Sequence, residues 1–158
     1  MYAFLNSFFT AKALTKAVRM IGGDEIASIY SIYHNREFCE FEEGFGNDVM
    51  IEDAMDMDAV IDRILCLLGG TRREVYVDEC DDNTLYKVLL LEYYRREYDM
   101  GCTEVSELFM KHDVFRMVDD FIYYVYGGEC TDNAIVCISE IIEANEKREK
   151  KRRRGHKD

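Results

Sequence analysis

Apolar residues recur at intervals of three and four along most of this chain, and three double glycines, Gly22-Gly23, Gly69-Gly70 and Gly127-Gly128, each follow an apolar segment of that period. Glycine just past the last periodic residue is the usual helix stop, so the pairs predict helical blocks. In the first block Leu5, Phe8, Phe9, Ala13, Ala17, Val18 and Ile21 lie close to one stripe, with Lys12, Lys16 and Arg19 elsewhere. Asp24 is placed to cap a second helix carrying Ile26, Ile29, Tyr30 and Tyr33, which the Gly44-Phe45-Gly46 stretch breaks. From Asn47 the chain is acidic and contains methionine. It then turns apolar through Val60, Ile61, Ile64, Leu65, Leu67 and Leu68, which predicts one or two helices ending at Gly69.

Residues 71–83 are the one stretch with strand character, through Val75, Tyr76 and Val77, and Asp81-Asp82-Asn83 signals a turn or helix cap. One short β-hairpin or ordered loop is expected near 72–80. The next helix carries Leu85, Val88, Leu89, Leu91, Tyr94 and Tyr98 before Gly101 ends it. Thr103 then caps a short helix with Val105, Leu108 and Phe109, and another runs through Val114, Phe115, Val118, Phe121, Ile122 and Val125. Thr131 or Asp132 starts the last, whose stripe of Ile135, Ile138 and Ile142 fades into a basic end. The expectation is an all-α, compact domain of seven or eight helices over 1–146, followed by a basic C-terminal tail over 147–158 that continues the last helix and frays. Leu108, Phe109, Phe115, Val118, Phe121 and Ile122 are the expected core of its C-terminal half.

Composition supports helices and narrows the class. The 158 residues include no proline and no tryptophan, so helices can run unbroken, and 48% hydrophobic with 33% charged residues describes a globular but unusually charged chain. Charged residues interrupt every apolar run before it reaches a membrane-spanning length, so no membrane contact is expected. The net charge of -12 is unevenly spread, for residues 147–158 carry +6 and residues 1–146 carry -18. An acidic body repels phosphate and a basic cluster releases counterions from it. Lys150, Lys151, Arg152, Arg153 and Arg154 are therefore the expected nuclear-import signal or site of weak RNA contact.

Little in the chain suggests reaction chemistry. The six cysteines form no Cys-x2-4-Cys pair, and Cys66 and Cys137 sit in apolar patterns, so buried free thiols are expected rather than a metal site or disulfides. His34 and His112 have no ligand pattern and read as helix-surface residues. Asp53, Asp56, Asp58 and Asp62 lack the central glycine and spacing of a calcium loop, because Ala59, Val60 and Ile61 fill its middle. Neither a phosphate-binding glycine loop nor a nucleophile frame occurs, so the expectation is no enzyme and no cofactor. Tyr93, Tyr94, Tyr98, Tyr123, Tyr124 and Tyr126 are the candidate partner surface, since tyrosine offers rigid amphipathic area at low entropic cost; core and core-border positions account for most of them, and an exposed minority would mark a partner groove. Residues 1–23 contain no acid and are amphipathic, the profile of a transit peptide, although the lack of early arginines and the regular apolar stripe favour a core helix.

In order along the chain stand Ile29-Tyr30 to Phe45-Gly46, an aromatic, acid-rich entry; Val60-Ile61-Asp62-Arg63 running to Gly69-Gly70; and Leu85-Tyr86-Lys87-Val88-Leu89-Leu90. Glu107 to Met117 and Tyr123 to Gly127 follow, and Glu140 to Arg154 closes as a helix entering a basic tail. This series, over roughly 29–154, resembles the pre-mRNA-splicing factor 38 family. Asp82-Asn83-Thr84 replaces that family's proline-containing turn, the basic residue before Gly127 is missing, and the long charged extension is reduced to a dozen residues, as in a shortened, divergent member. The resemblance implies a nuclear, non-enzymatic spliceosome scaffold that acts in mRNA processing before or during activation, by protein–protein contacts with helical segments of spliceosomal proteins. The alternative is a helical adaptor outside splicing that grips an amphipathic partner helix.

Overall fold

The computed structural model describes the backbone of residues 2–45, 54–78, 82–125 and 131–155, and side chains over 7–40, 57–78, 82–119 and 134–155. Eight helices follow one another: α1 (Tyr2–Ile21), α2 (Glu25–Tyr33), α3 (Arg36–Phe45), α4 (Ala54–Leu68), α5 (Asn83–Glu97), α6 (Cys102–Lys111), α7 (Val114–Val125) and α8 (Thr131–Gly155). Among the described residues there is no strand, and the protein is all-α. The chain divides into two compact units, residues 1–107 and 108–158, with the division falling inside α6.

Glycines end α1 and α4 as the sequence predicts. Gly22, Gly23 and Gly69 hold φ of +81°, +78° and +75°, the left-handed region in which a side chain is strained. Gly70 answers a different need, because a Cβ there would lie 2.6 Å from Ile21 Cγ1. Only glycine lets the end of α4 approach the end of α1 this closely. Gly127-Gly128 lie outside the described residues. Asp24 caps α2 by accepting the Ala27 N–H at 3.1 Å, and Asp82 caps α5 by accepting the Leu85 N–H at 3.0 Å.

Several boundaries differ from expectation. The second predicted helix is two, parted at His34-Asn35, where Asn35 Oδ1 accepts the Phe38 N–H at 3.0 Å and so starts α3. α3 runs through Gly44 and ends at Phe45, within the 44–46 stretch expected to break it. Helix α5 stops at Glu97 rather than Gly101, and Asp99 takes the left-handed turn with φ of +51°. Thr103 is not the cap of α6, because the helix begins at Cys102 and the Thr103 hydroxyl donates to the Tyr33 carbonyl at 3.2 Å. Residues 70–78 run as an irregular segment, the loop rather than the hairpin. Side chains of α1 and of the segment itself stand in for a partner strand: Arg19 donates to the Tyr76 carbonyl at 2.9 Å, and Arg73 donates to the Arg19 carbonyl at 2.8 Å.

In the first unit α1 packs on α5, α4 and α2, and α2 packs on α3, α4 and α5. Ala11, Ala13 and Ala17 keep α1 slim, and Leu14 and Val18 are fully buried with them. The first segment is thus a core helix. Ile29, Ile32, Tyr33, Phe38, Ile61, Ile64, Val88, Leu90 and Leu91 complete this core. In the second unit Phe109 meets Phe115 edge to face with ring centroids 5.8 Å apart, beside buried Val114 and Val118, and α8 brings Ile135, Ile138 and Ile142. Leu108 is only half-buried, and the side chains of Phe121 and Ile122 lie outside those described.

Candidate functional site

The basic tail continues the last helix, as expected, and α8 runs without a break to Gly155. Lys147, Arg148, Lys150, Lys151, Arg152, Arg153 and Arg154 are exposed surface residues on its last turns, and Glu149 in their midst is half-exposed. That glutamate pairs with Lys111 of α6 at 3.3 Å. One turn earlier, Asn145 Nδ2 lies 3.3 Å from His112 Nδ1, and Glu146 Oε1 lies 3.9 Å from His112 Nε2. At 3.9 Å the latter is an ion-pair distance only when the imidazole is charged, and too long for a hydrogen bond. His112 is therefore not the expected surface residue, for it is buried where α8 leaves α6. Beyond Glu149 every described residue of α8 is exposed.

The six tyrosines do not form one described surface. Tyr98 is 45% exposed, whereas Tyr94, four residues earlier with its ring centroid 4.6 Å away, is 5% exposed and belongs to the core. Tyr98 is the C-cap, just past the end of α5. Tyr93 is half-buried, and the side chains of Tyr123, Tyr124 and Tyr126 lie outside those described. Tyr76, which the sequence suggested only as a strand residue, is the most exposed described aromatic, at 79%.

Tyr76 lies at a cleft of about 610 Å³ lined by Lys16 and Met20 of α1, Asp58 and Ile61 of α4, and residues 72–76. Its charges are largely tied down. Arg72 donates to Asp62 at 2.8 Å and to the Asp58 carbonyl at 3.0 Å, and the Asp62 hydrogen bond, against some desolvation, holds its guanidinium above the usual value. Beside the cleft, Arg19 makes a two-bond fork to Asp82, at 2.5 and 3.1 Å, and a further bond to Glu25 at 2.7 Å. Glu25 also accepts from Thr84 at 2.9 Å. The Asp82 fork raises the Arg19 guanidinium despite desolvation, and Glu25 adds to it. Burial alone would raise the Asp82 carboxyl, but the Arg19 and Leu85 donors outweigh it and hold the group below the usual carboxylate range. The arrangement clasps α1, α2 and α5 together. Its chemistry is structural, since each carboxylate oxygen of the fork already accepts a donor.

A second polar cluster is fully internal. Glu92 of α5 has no exposure, and it accepts from the Tyr33 hydroxyl and from Arg95 at 3.2 Å, with Arg96 Nε at 3.5 Å. Of the described cysteines, all free thiols, Cys102 is buried and Cys39 half-buried. Cys66 and Cys137 are exposed, contrary to expectation, because they sit on the outer sides of α4 and α8. Among the described residues no cluster of three or more His, Cys, Asp or Glu is placed to hold a metal ion, and no helix is long and apolar enough to cross a membrane. Comparison of the chain with known proteins returns no matching family model, no matching curated protein and no matching solved structure.

Proposed function

We propose that this protein is a non-enzymatic helical scaffold of the spliceosome, acting in pre-mRNA splicing before or during activation through contacts with helical segments of other spliceosomal proteins. The observation that carries the reading is the ordered series of segments that resemble the splicing factor 38 family. Within the described residues those segments fall in turn on α2–α3, α4 with its glycine stop, α5, the α6–α7 corner, the end of α7 and α8, while Gly46 and residues 126–127 lie outside those described. A nuclear location follows from the same reading, with Lys150 to Arg154 as import signal, RNA contact or both.

The test is affinity capture with the tagged full-length chain from a splicing-active extract, read by RNA sequencing and mass spectrometry against a tag-only control. Enrichment of spliceosomal small nuclear RNAs together with spliceosomal proteins is the expected result. Enrichment of other proteins with neither would move the protein to the adaptor class outside splicing, for which exposed Tyr98, Met110 and Val136 offer apolar contact area.

A further inference from the structure

The cations at the end of α8 are not a stripe. At about 100° per residue, Lys147, Lys151 and Arg154 share one side of the helix, Arg148 and Arg152 a second, and Lys150 and Arg153 a third. The remaining sector belongs to Glu149, the residue that turns to Lys111. A flat acidic surface would neutralise one side of such a rod and leave the others uncompensated. A groove with phosphates on both walls meets all three sides at once.

We infer that the last two turns of α8 insert as a preformed helix into the groove of a structured RNA, a stem opened by a bulge or internal loop. The helix with its side chains is about 10–12 Å across, too wide for the deep, narrow groove of an uninterrupted A-form stem. A bulge breaks the stack and lets the groove walls part. Single-stranded RNA gains nothing from the helical arrangement, because a flexible strand can follow cations in any conformation. The -18 charge over residues 1–146 confines the contact to this helix end. The inference rests on charge and helix geometry and holds whether or not the splicing reading does.

Two substitutions separate helical presentation from simple charge attraction. Glu149→Pro breaks the helix past Ile142, the last fully packed residue of its stripe, and makes the segment more positive. Glu149→Gln makes the same charge change and keeps the helix. The full-length protein and both variants are titrated by fluorescence anisotropy against a bulged hairpin RNA, the same hairpin without the bulge, and a single strand of equal length, across a salt series. For the native chain and Glu149→Gln the bulged hairpin binds tightest, with a slope of log affinity on log salt of about -5. Glu149→Pro binds the bulged hairpin roughly tenfold more weakly or worse, while its unchanged thermal unfolding shows an intact core. Equal or tighter binding by Glu149→Pro, equal binding of the single strand, or no RNA binding by the native chain would each overturn the inference. The last of these would point to a protein partner for the helix end.

Discussion

Helices α5 and α8 both carry cations on several sides, and they use them in opposite ways. Helix α5 buries Lys87 and Arg95 and shields most of Arg96, around a glutamate with no exposure at all. Helix α8 leaves Arg152, Arg153 and Arg154 in water, with a single acid among the cations of its last turns. Charge in a dry interior is costly unless partners surround it, so in α5 the charges specify how Tyr33, Glu92 and Arg95 must meet. In water the same charges cost little and fix nothing in the fold. They are then available to a partner, and the two helices divide the work of holding the fold from that of reaching outward.

Breaking the interior arrangement should have the largest effect. Glu92→Ala removes the buried acceptor of the Tyr33 hydroxyl and takes their Glu92 partner from Arg95 and Arg96, at an expected cost of about 3–5 kcal/mol by urea unfolding. A loss below about 1 kcal/mol would mean that water reaches the cluster and that α5 and α8 differ less than their burial says. At the start of α5, Asp82→Ala loses a helix cap and the Arg19 fork, with an expected cost of about 1–2 kcal/mol. Because the folded Asp82 carboxyl titrates below its unfolded value of about 3.9, its contribution is complete above that pH and fades as pH falls through the lower folded value. The gap between native and Asp82→Ala stability should therefore be constant near neutral pH and narrow below about pH 4. The smallest effect belongs to α8. Replacing Lys150, Lys151, Arg152, Arg153 and Arg154 together with Gln should change stability by no more than about 0.5 kcal/mol, and a larger loss in thermal melts would show that these cations hold the fold after all.

How far each helix could be read from sequence follows the same division. The stops of α1 and α4 were readable because a glycine in the left-handed region acts locally, and so was the cap at Asp24. The exposed cations of α8 were readable because a run of like charge needs no distant partner to be recognised. Helix α5 was harder, for Glu92 finds its Tyr33 partner 59 residues away, and nothing local announces it. The Arg19 fork to Asp82 spans 63 residues, and no local pattern announces it. The tyrosines show the limit within one helix. Tyr94 and Tyr98 share a face, yet only the position of the helix end relative to its neighbours decides which ring is covered. The split at His34-Asn35 did have a local signal, the asparagine cap, but the continuous apolar period across it concealed the break.

The span between α1 and its main packing partner also governs how the protein is born. Helix α1 leaves the ribosome before the helices that cover it, and α5, one of the two on which it packs most, begins more than 60 residues after α1 ends. At synthesis rates of about 5–20 residues per second, the part of α1 that packs on α5 waits roughly 3–15 s for its cover. During this interval the nascent chain presents an amphipathic helix with an unburied apolar side, a substrate for holding chaperones and a seed for aggregation between neighbouring chains on one message. Slower translation before α5 lengthens the exposure, and slower translation after it does not.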